Sequence, residues 1–162
     1  MIQTFNDGTI EWFVAPSRRV VFSRWEGDIR GDDLLSSSPA FWDRHPEAAQ
    51  YGAVHDQLAF TGIIEHRFSR ALMQMRTDRF GPELPGTRTA VVHADPIKAF
   101  DVKVTSVQAP GGRLFRLFAN NASALAWVTA DEPGNPSACR DQSGDPLPWW
   151  FHGAAASPAG AR

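Results

Sequence analysis

Residues 51–58 read Tyr51-Gly52-Ala53-Val54-His55-Asp56-Gln57-Leu58, an apolar run that predicts an internal strand. Thr61 is interpreted as the cap of a helix, in which apolar side chains then recur at spacings of three and four: Ile64, Phe68, Ala71, Leu72 and Met75. A buried strand is predicted next, at Thr89-Ala90-Val91-Val92-His93. A strand, an amphipathic helix and a second strand in succession indicate parallel strands joined by a crossover helix.

The residues before this unit predict an antiparallel hairpin followed by helix. Strands are expected at residues 9–15 and 19–25, separated by the break at Pro16-Ser17. Two short helical pieces follow, over residues 31–37 and 39–44, because Pro39 suits the first position of a new helix better than the interior of an existing one.

The residues after the central unit extend the alternation. Asp95-Pro96 is a good helix start. Residues 97–107 fit either a helical face or an alternating strand, and the strong cap favours helix. A last strand at residues 113–118 and a last helix at residues 122–129 complete the order β-β-α-β-α-β-α-β-α. The predicted fold class is therefore α/β, a mixed and mostly parallel five-stranded sheet with an antiparallel edge hairpin, within residues 1–130.

The composition changes at residue 131. The tail at residues 131–162 is rich in Pro, Gly and Ala, holds five of the chain's 12 prolines and shows no periodicity. Within it, Trp149, Trp150 and Phe151 are too apolar to remain in water. We predict that these three residues anchor the tail, either on the domain or on a second copy.

Composition and charge exclude several classes of function. The formal charge is −2 and the 16 basic residues are scattered, so no basic face for nucleic acid or an anionic membrane is expected. A single cysteine, Cys139, excludes an internal disulfide and any CxxC site. Neither a signal peptide nor a transmembrane run is present, which makes the cytoplasm the predicted location. No cofactor is predicted.

Ionisable residues are expected to gather at the carboxyl ends of the parallel strands, where α/β sheets bind ligands. These candidates are His55, Asp56, His93 and Asp95, joined by Thr61 at the start of the intervening helix. As functional groups, the histidines could be bases or metal ligands oriented by Asp56. As plain structure, Asp95 caps a helix, Asp56 closes a turn and the histidines are solvated strand ends. No metal-ligand spacing and no nucleophile elbow favours the catalytic alternative, so neither a catalytic nor a metal site is predicted.

The same order of elements resembles the SpoIIAA-like group of STAS-type domains, an uncharacterised bacterial family related in fold to Sec14-like lipid-binding domains. The resemblance covers about residues 9–130. It rests on Trp25-Glu26-Gly27-Asp28-Ile29, Val54-His55-Asp56, Ala90-Val91-Val92, Arg113-Leu114-Phe115-Arg116-Leu117-Phe118 and Ala122-Ser123-Ala124-Leu125-Ala126-Trp127.

The resemblance implies a non-enzymatic regulatory module that binds a protein partner or itself as a homodimer, through the loop at residues 56–62 and the adjacent helices. The alternative is a carrier of a small apolar ligand or lipid held between helices and sheet. Better-known STAS proteins are switched by phosphorylation of a serine after the third strand. Here Thr61-Gly62 is the only match, without the paired serines, so Thr61 is the candidate phosphoacceptor.

Overall fold

A computed structural model describes residues 1–81, 87–95, 113–131, 135 and 145–151 of the chain. Its strands are β1 (Ile2–Thr4), β2 (Gly8–Ala15), β3 (Val20–Gly27), β4 (Gly52–Phe60), β5 (Arg88–Val92) and β6 (Leu114–Phe118). Its α-helices are α1 (Gly31–Arg44), α2 (His66–Phe80) and α3 (Asn121–Val128), with a 3-10 helix at Pro46–Gln50 and a 3-10 turn at residues 149–151. The predicted helix at residues 97–107 lies outside the described residues.

The strands form one sheet in chain order, β1-β2-β3-β4-β5-β6. The pairs β1–β2 and β2–β3 are antiparallel, whereas β3–β4, β4–β5 and β5–β6 are parallel. The predicted α/β class and mixed sheet are confirmed. The predicted number of strands is one too low, because β1 has only three residues and no alternation of apolar side chains over so short a length identifies a strand.

Helix α1 is continuous, so the predicted break at Pro39 is wrong. A proline inside a helix costs about 3 kcal/mol, because it removes one hydrogen bond and crowds the preceding turn. Leu34, Phe41 and Trp42 are all buried on the inner face of α1. Each such side chain contributes roughly 1.5–3 kcal/mol when buried, so packing of the whole face outweighs the proline.

Helix α2 begins at His66 with Glu65 at its N-cap, so the prediction that Thr61 caps it is wrong. The Thr61 amide instead donates to the carbonyl of Gly27 (3.0 Å), which extends the parallel pairing of β3 and β4 by one residue. The start of α1 lies directly against α2. A methyl group on Gly31 would come within 2.1 Å of the Phe68 ring, so this contact requires glycine.

The sheet is covered on both faces. On one face, α3 and the turn at residues 149–151 pack over a core that includes Phe22, Val54 and Val92. On the other face, α1 and α2 pack over Val21 and Ala53 and over a neighbouring cluster around Ile10, Trp25, Ile29, Leu34 and Phe60. We call these the closed face and the helical face.

Candidate functional site

His55 and Asp56 point to opposite faces of the sheet, because successive residues of a strand alternate. His55 lies on the helical face, where Trp12 and Trp25 contact its ring. Asp56 lies on the closed face, where the side-chain amide of Asn121 donates to its Oδ2 (2.7 Å). The expected gathering of these two candidates at one point of the sheet rim is therefore not observed.

The other candidates follow the ends of β4 and β5. The amide of Asp95 donates to Nδ1 of His93 (2.9 Å), so these two residues form a local turn. The His93 amide donates to the carbonyl of Phe118 (3.1 Å) at the end of β6. Thr61 is exposed just after β4. The structure thus brings His93 and Asp95 together.

Asp56 ties the start of α3 to β4. It is buried, and its Oδ1 also accepts from the amide of Leu58 (3.0 Å). The two bonds occupy both carboxylate oxygens, one with the neighbouring helix and one with its own strand. Such an arrangement positions α3 on the closed face, which is a structural role.

A cavity of about 240 Å³ lies on the helical face, between the sheet, α1 and α2. Its wall is largely aromatic and aliphatic, and includes Trp12, Trp25, Phe41, Phe60 and Leu72. The cavity exists because small or short side chains of the central strands lie beneath α2, namely Ala53, Thr89 and Val91, and because no described side chain of α2 is fully buried.

His55 has its Nδ1 2.7 Å from the Ser23 hydroxyl, which itself accepts from the Trp25 indole (2.7 Å). Because the Ser23 oxygen accepts from Trp25, the Ser23 hydroxyl hydrogen can donate to Nδ1 of His55, and every donor of the three residues' network is then used. We therefore assign the imidazole proton to Nε2. Burial, and secondarily the charge of Arg113, lowers the pKa of His55 to about 3. His55 is therefore a neutral imidazole in the cavity wall at neutral pH.

Two arginines also line the cavity. Arg113, just before β6, donates from Nε to the Thr89 hydroxyl (2.7 Å) and from Nη2 to the Tyr51 carbonyl (3.5 Å). Arg76 of α2 donates to the carbonyl of Ala49. Burial, with the nearby charge of Arg76 as a smaller cause, lowers the pKa of Arg113 to about 9, and burial lowers the pKa of Arg76 to about 10. Both remain cations at pH 7.

The helical period of this segment predicts that charged residues such as Arg76 face outward, and the structure corrects this for Arg76. Arg76 follows Leu72 by four residues, so both lie on one side of α2 and both line the cavity. Arg113 is two residues before Phe115, and because side chains alternate along an extended chain both line the cavity. The spacing to these apolar neighbours is the signal that could have identified both arginines.

Of the three predicted anchor residues of the tail, two are buried and one is exposed. Trp150 and Phe151 pack on Phe22 in the closed-face core, with ring centroids 6.5 and 5.4 Å from it. Trp149 is 74% exposed, with its indole donating to Glu11 and Arg24 above its ring. Asp145 accepts from the Ser17 amide (2.7 Å). The turn therefore lies against β2 and β3 of the same chain.

In the described part of the chain, no three His, Cys, Asp or Glu side chains are close enough to share a metal ion. Among the same residues, no helix combines the length and the apolar character needed to cross a membrane.

The fold is SpoIIAA-like, as the sequence resemblance implied. One solved structure that shows this is the crystal structure of an uncharacterised protein of the DUF3478 family, with a SpoIIAA-like fold, from Shewanella loihica PV-4. It is 16% identical, with a TM-score of 0.55, and the match covers 78% of this chain and 98% of that one. No protein-family model and no curated protein matches the sequence. Similarity at this level establishes the fold alone.

Proposed function

We propose that the chain is a non-enzymatic binding module that holds a small, largely apolar molecule in the cavity between its sheet and helices α1 and α2. The observation that carries this proposal is the cavity itself, about 240 Å³ with a mainly aromatic and aliphatic wall. An engineered apolar cavity of about 150 Å³ is large enough for benzene. The present cavity therefore has room for one substituted ring.

The chemistry of the wall supports binding rather than catalysis. His55 is neutral at pH 7 and its Nδ1 is engaged by Ser23. A general base needs a pKa near the working pH, and a pKa of about 3 makes His55 a weak one. As a neutral donor at Nε2, however, His55 is well suited to orienting a ligand by a hydrogen bond.

The test uses two matched probes, 3-phenylpropanol and 3-phenylpropionate, titrated into the full chain and followed by two-dimensional NMR. We expect at least one probe to shift the amide signals of β4 and α2. Ala53→Phe should abolish binding by filling the cavity, whereas Ala53→Ser, which keeps the volume, should retain it. Ala53 is a wall residue on the central strand β4.

Each variant is first checked for a cooperative thermal transition. If neither probe binds the wild-type chain, or if Ala53→Phe binds both probes as the wild type does, the proposed function is wrong.

A second candidate function, recognition of a protein partner or of a second copy, has its own observation. Leu58 and Ile63 are exposed apolar side chains on either side of the exposed Thr61. Leu58 lies in β4 and Ile63 three residues after its end, so the first five residues of the segment 56–62, predicted as a loop, are strand. Exposed apolar clusters are typical of interaction surfaces. Under this candidate a homodimer stays the predicted assembly and the cytoplasm the predicted location.

Light scattering across a concentration series tests self-association. We expect the double variant Leu58→Ser, Ile63→Ser to weaken a dimer, while Ile2→Ser, on the distant edge strand β1, leaves it unchanged. Thr61→Asp imitates phosphorylation, and because Thr61 is exposed we expect a change in free energy of unfolding within about 0.5 kcal/mol. A chain that stays monomeric throughout would contradict self-association, and unchanged association in Thr61→Asp would contradict a phosphoswitch.

A further inference from the structure

Among the described residues, the two positive side chains in the cavity wall bond only to neutral partners. Arg76 and Arg113 bond to the Ala49 and Tyr51 carbonyls and to the Thr89 hydroxyl. The four ion pairs among the described residues all involve other side chains, and no described Asp or Glu lines the cavity. The positive charge of the cavity is therefore uncompensated within the described residues.

This arrangement is unfavourable without an anion. Taking a guanidinium out of water is costly unless it is paired, and a second cation nearby adds repulsion. The effect is visible in Arg113, whose pKa is lowered by burial and further by Arg76. A single anion between or beside the two guanidiniums would relieve both costs, because an arginine presents several N–H donors in a plane that matches a carboxylate.

The donors needed for such an anion are present. Arg113 uses Nε and Nη2 in its bonds to the described residues, and Arg76 uses Nη2. Nη1 of each guanidinium thus makes no bond to a described residue. His55, close enough to Arg113 for its pKa to be lowered by that charge, adds the Nε2 hydrogen assigned above.

We propose that the ligand is a small monocarboxylate, whose carboxylate is bound by Arg76 and Arg113 and whose apolar body contacts the aromatic wall formed by Trp12, Trp25 and Phe41. The mostly apolar lining requires a body such as a ring or a short chain, and the two arginines require the negative group. This inference rests on the proposed function, since it names the class of molecule that occupies the same cavity.

Isothermal titration calorimetry of the full chain with the same matched probes tests the charge. Charge-assisted hydrogen bonds of this kind favour 3-phenylpropionate over 3-phenylpropanol by roughly tenfold to hundredfold. Arg113→Met and Arg76→Met keep an unbranched apolar stem at each position and remove the guanidinium and its charge. Each should reduce that preference by about tenfold or more while leaving the affinity for the alcohol within about threefold.

Three controls separate charge from structure. Arg79→Met removes an exposed arginine from the same helix and should leave the preference unchanged. Arg113→Lys keeps the charge and serves if Arg113→Met does not fold; it should retain part of the preference. Acetate, which has the carboxylate without the body, should bind at least tenfold more weakly than 3-phenylpropionate.

The outcomes distinguish this inference from the proposed function. Equal affinity for the acid and the alcohol, or a preference that survives both arginine variants, would overturn the monocarboxylate inference and leave the ligand-binding module standing. Acetate binding as tightly as 3-phenylpropionate would also overturn it, because the apolar body would then contribute nothing. Failure of both phenyl probes would remove the proposed function together with the inference.

Discussion

The two faces of the sheet are built from the same strands, but one is tightly packed and the other borders a cavity. On the closed face, Phe22, Val54 and Val92 are fully buried under α3 and the turn that carries Trp150 and Phe151. On the helical face, the neighbouring residues in the same strands include Ala53, His55 and Val91, which border a cavity. The alternation of side chains along a strand thus lets one half of each strand supply stability while the other half is free to form a site.

The largest expected effect is on the closed face. Phe151→Ala should lower the free energy of unfolding by about 3–5 kcal/mol, because it removes a buried ring that packs edge-on against Phe22. On the helical face, Leu72→Ala should cost only about 1 kcal/mol, since Leu72 is half-buried and already borders empty space. Urea unfolding of the two variants measures the difference. Equal losses would contradict the contrast between the faces.

A second effect concerns how α3 is held on the closed face. Asn121→Ala leaves the buried Asp56 carboxylate without its bond from α3 and should cost about 1.5–3 kcal/mol. The comparison variant is Asn120→Ala, which removes the N-cap bond to Ser123 on the same helix and should cost about 1 kcal/mol. A loss for Asn121→Ala no greater than that for Asn120→Ala would show that the Asp56 bond contributes little.

The third effect is the pH response of the helical face. The folded-state pKa of His55 is lowered to about 3 from an ordinary value of 6.5, so below pH 6.5 the unfolded chain binds more protons at this position. Stability is therefore lost as the pH falls from 6.5 toward 3, by up to about 1.4 kcal/mol per pH unit. Between pH 6.5 and pH 5 this amounts to up to about 2 kcal/mol.

Urea unfolding at pH 7, 6 and 5 follows this loss in the wild type and in two variants. His55→Gln should flatten the dependence, and His66→Gln, at the first residue of α2 and not in the cavity wall, is the matched control. A wild-type profile that is level between pH 6.5 and pH 5 would show that His55 is not held neutral in the folded protein.

The central part of the fold could be predicted from sequence because its signals are local. The apolar run at residues 51–58, observed as β4 at Gly52–Phe60, and the helical spacing of apolar residues from Ile64 to Met75 both lie in contiguous stretches of sequence. Prediction from the sequence was wrong at Pro39, because tertiary packing overrides the local preference for a helix break. It missed β1 because that strand is too short to show a pattern. The cap assigned to Thr61 was wrong because the chain continues as an extension of β4 before α2 begins.

Less of the candidate site than of the fold could be predicted from the sequence. His55 was predicted as a candidate site residue in the strand that became β4, but grouping it with Asp56 overlooked the alternation that sends the two side chains to opposite faces. The cavity itself has no local signature, because it depends on how far α2 stands from the small side chains beneath it. Arg76 and Arg113 come from distant parts of the chain and meet only in the folded protein.

The placement of the tryptophans has a consequence for experiment. Trp12, Trp25 and Trp42 line the cavity, whereas Trp150 is buried on the closed face and Trp149 is exposed. Three of the six indoles thus lie where a molecule bound in the cavity would change their surroundings. Their intrinsic fluorescence gives the chain a built-in optical reporter of occupancy, with no label to perturb the wall it observes.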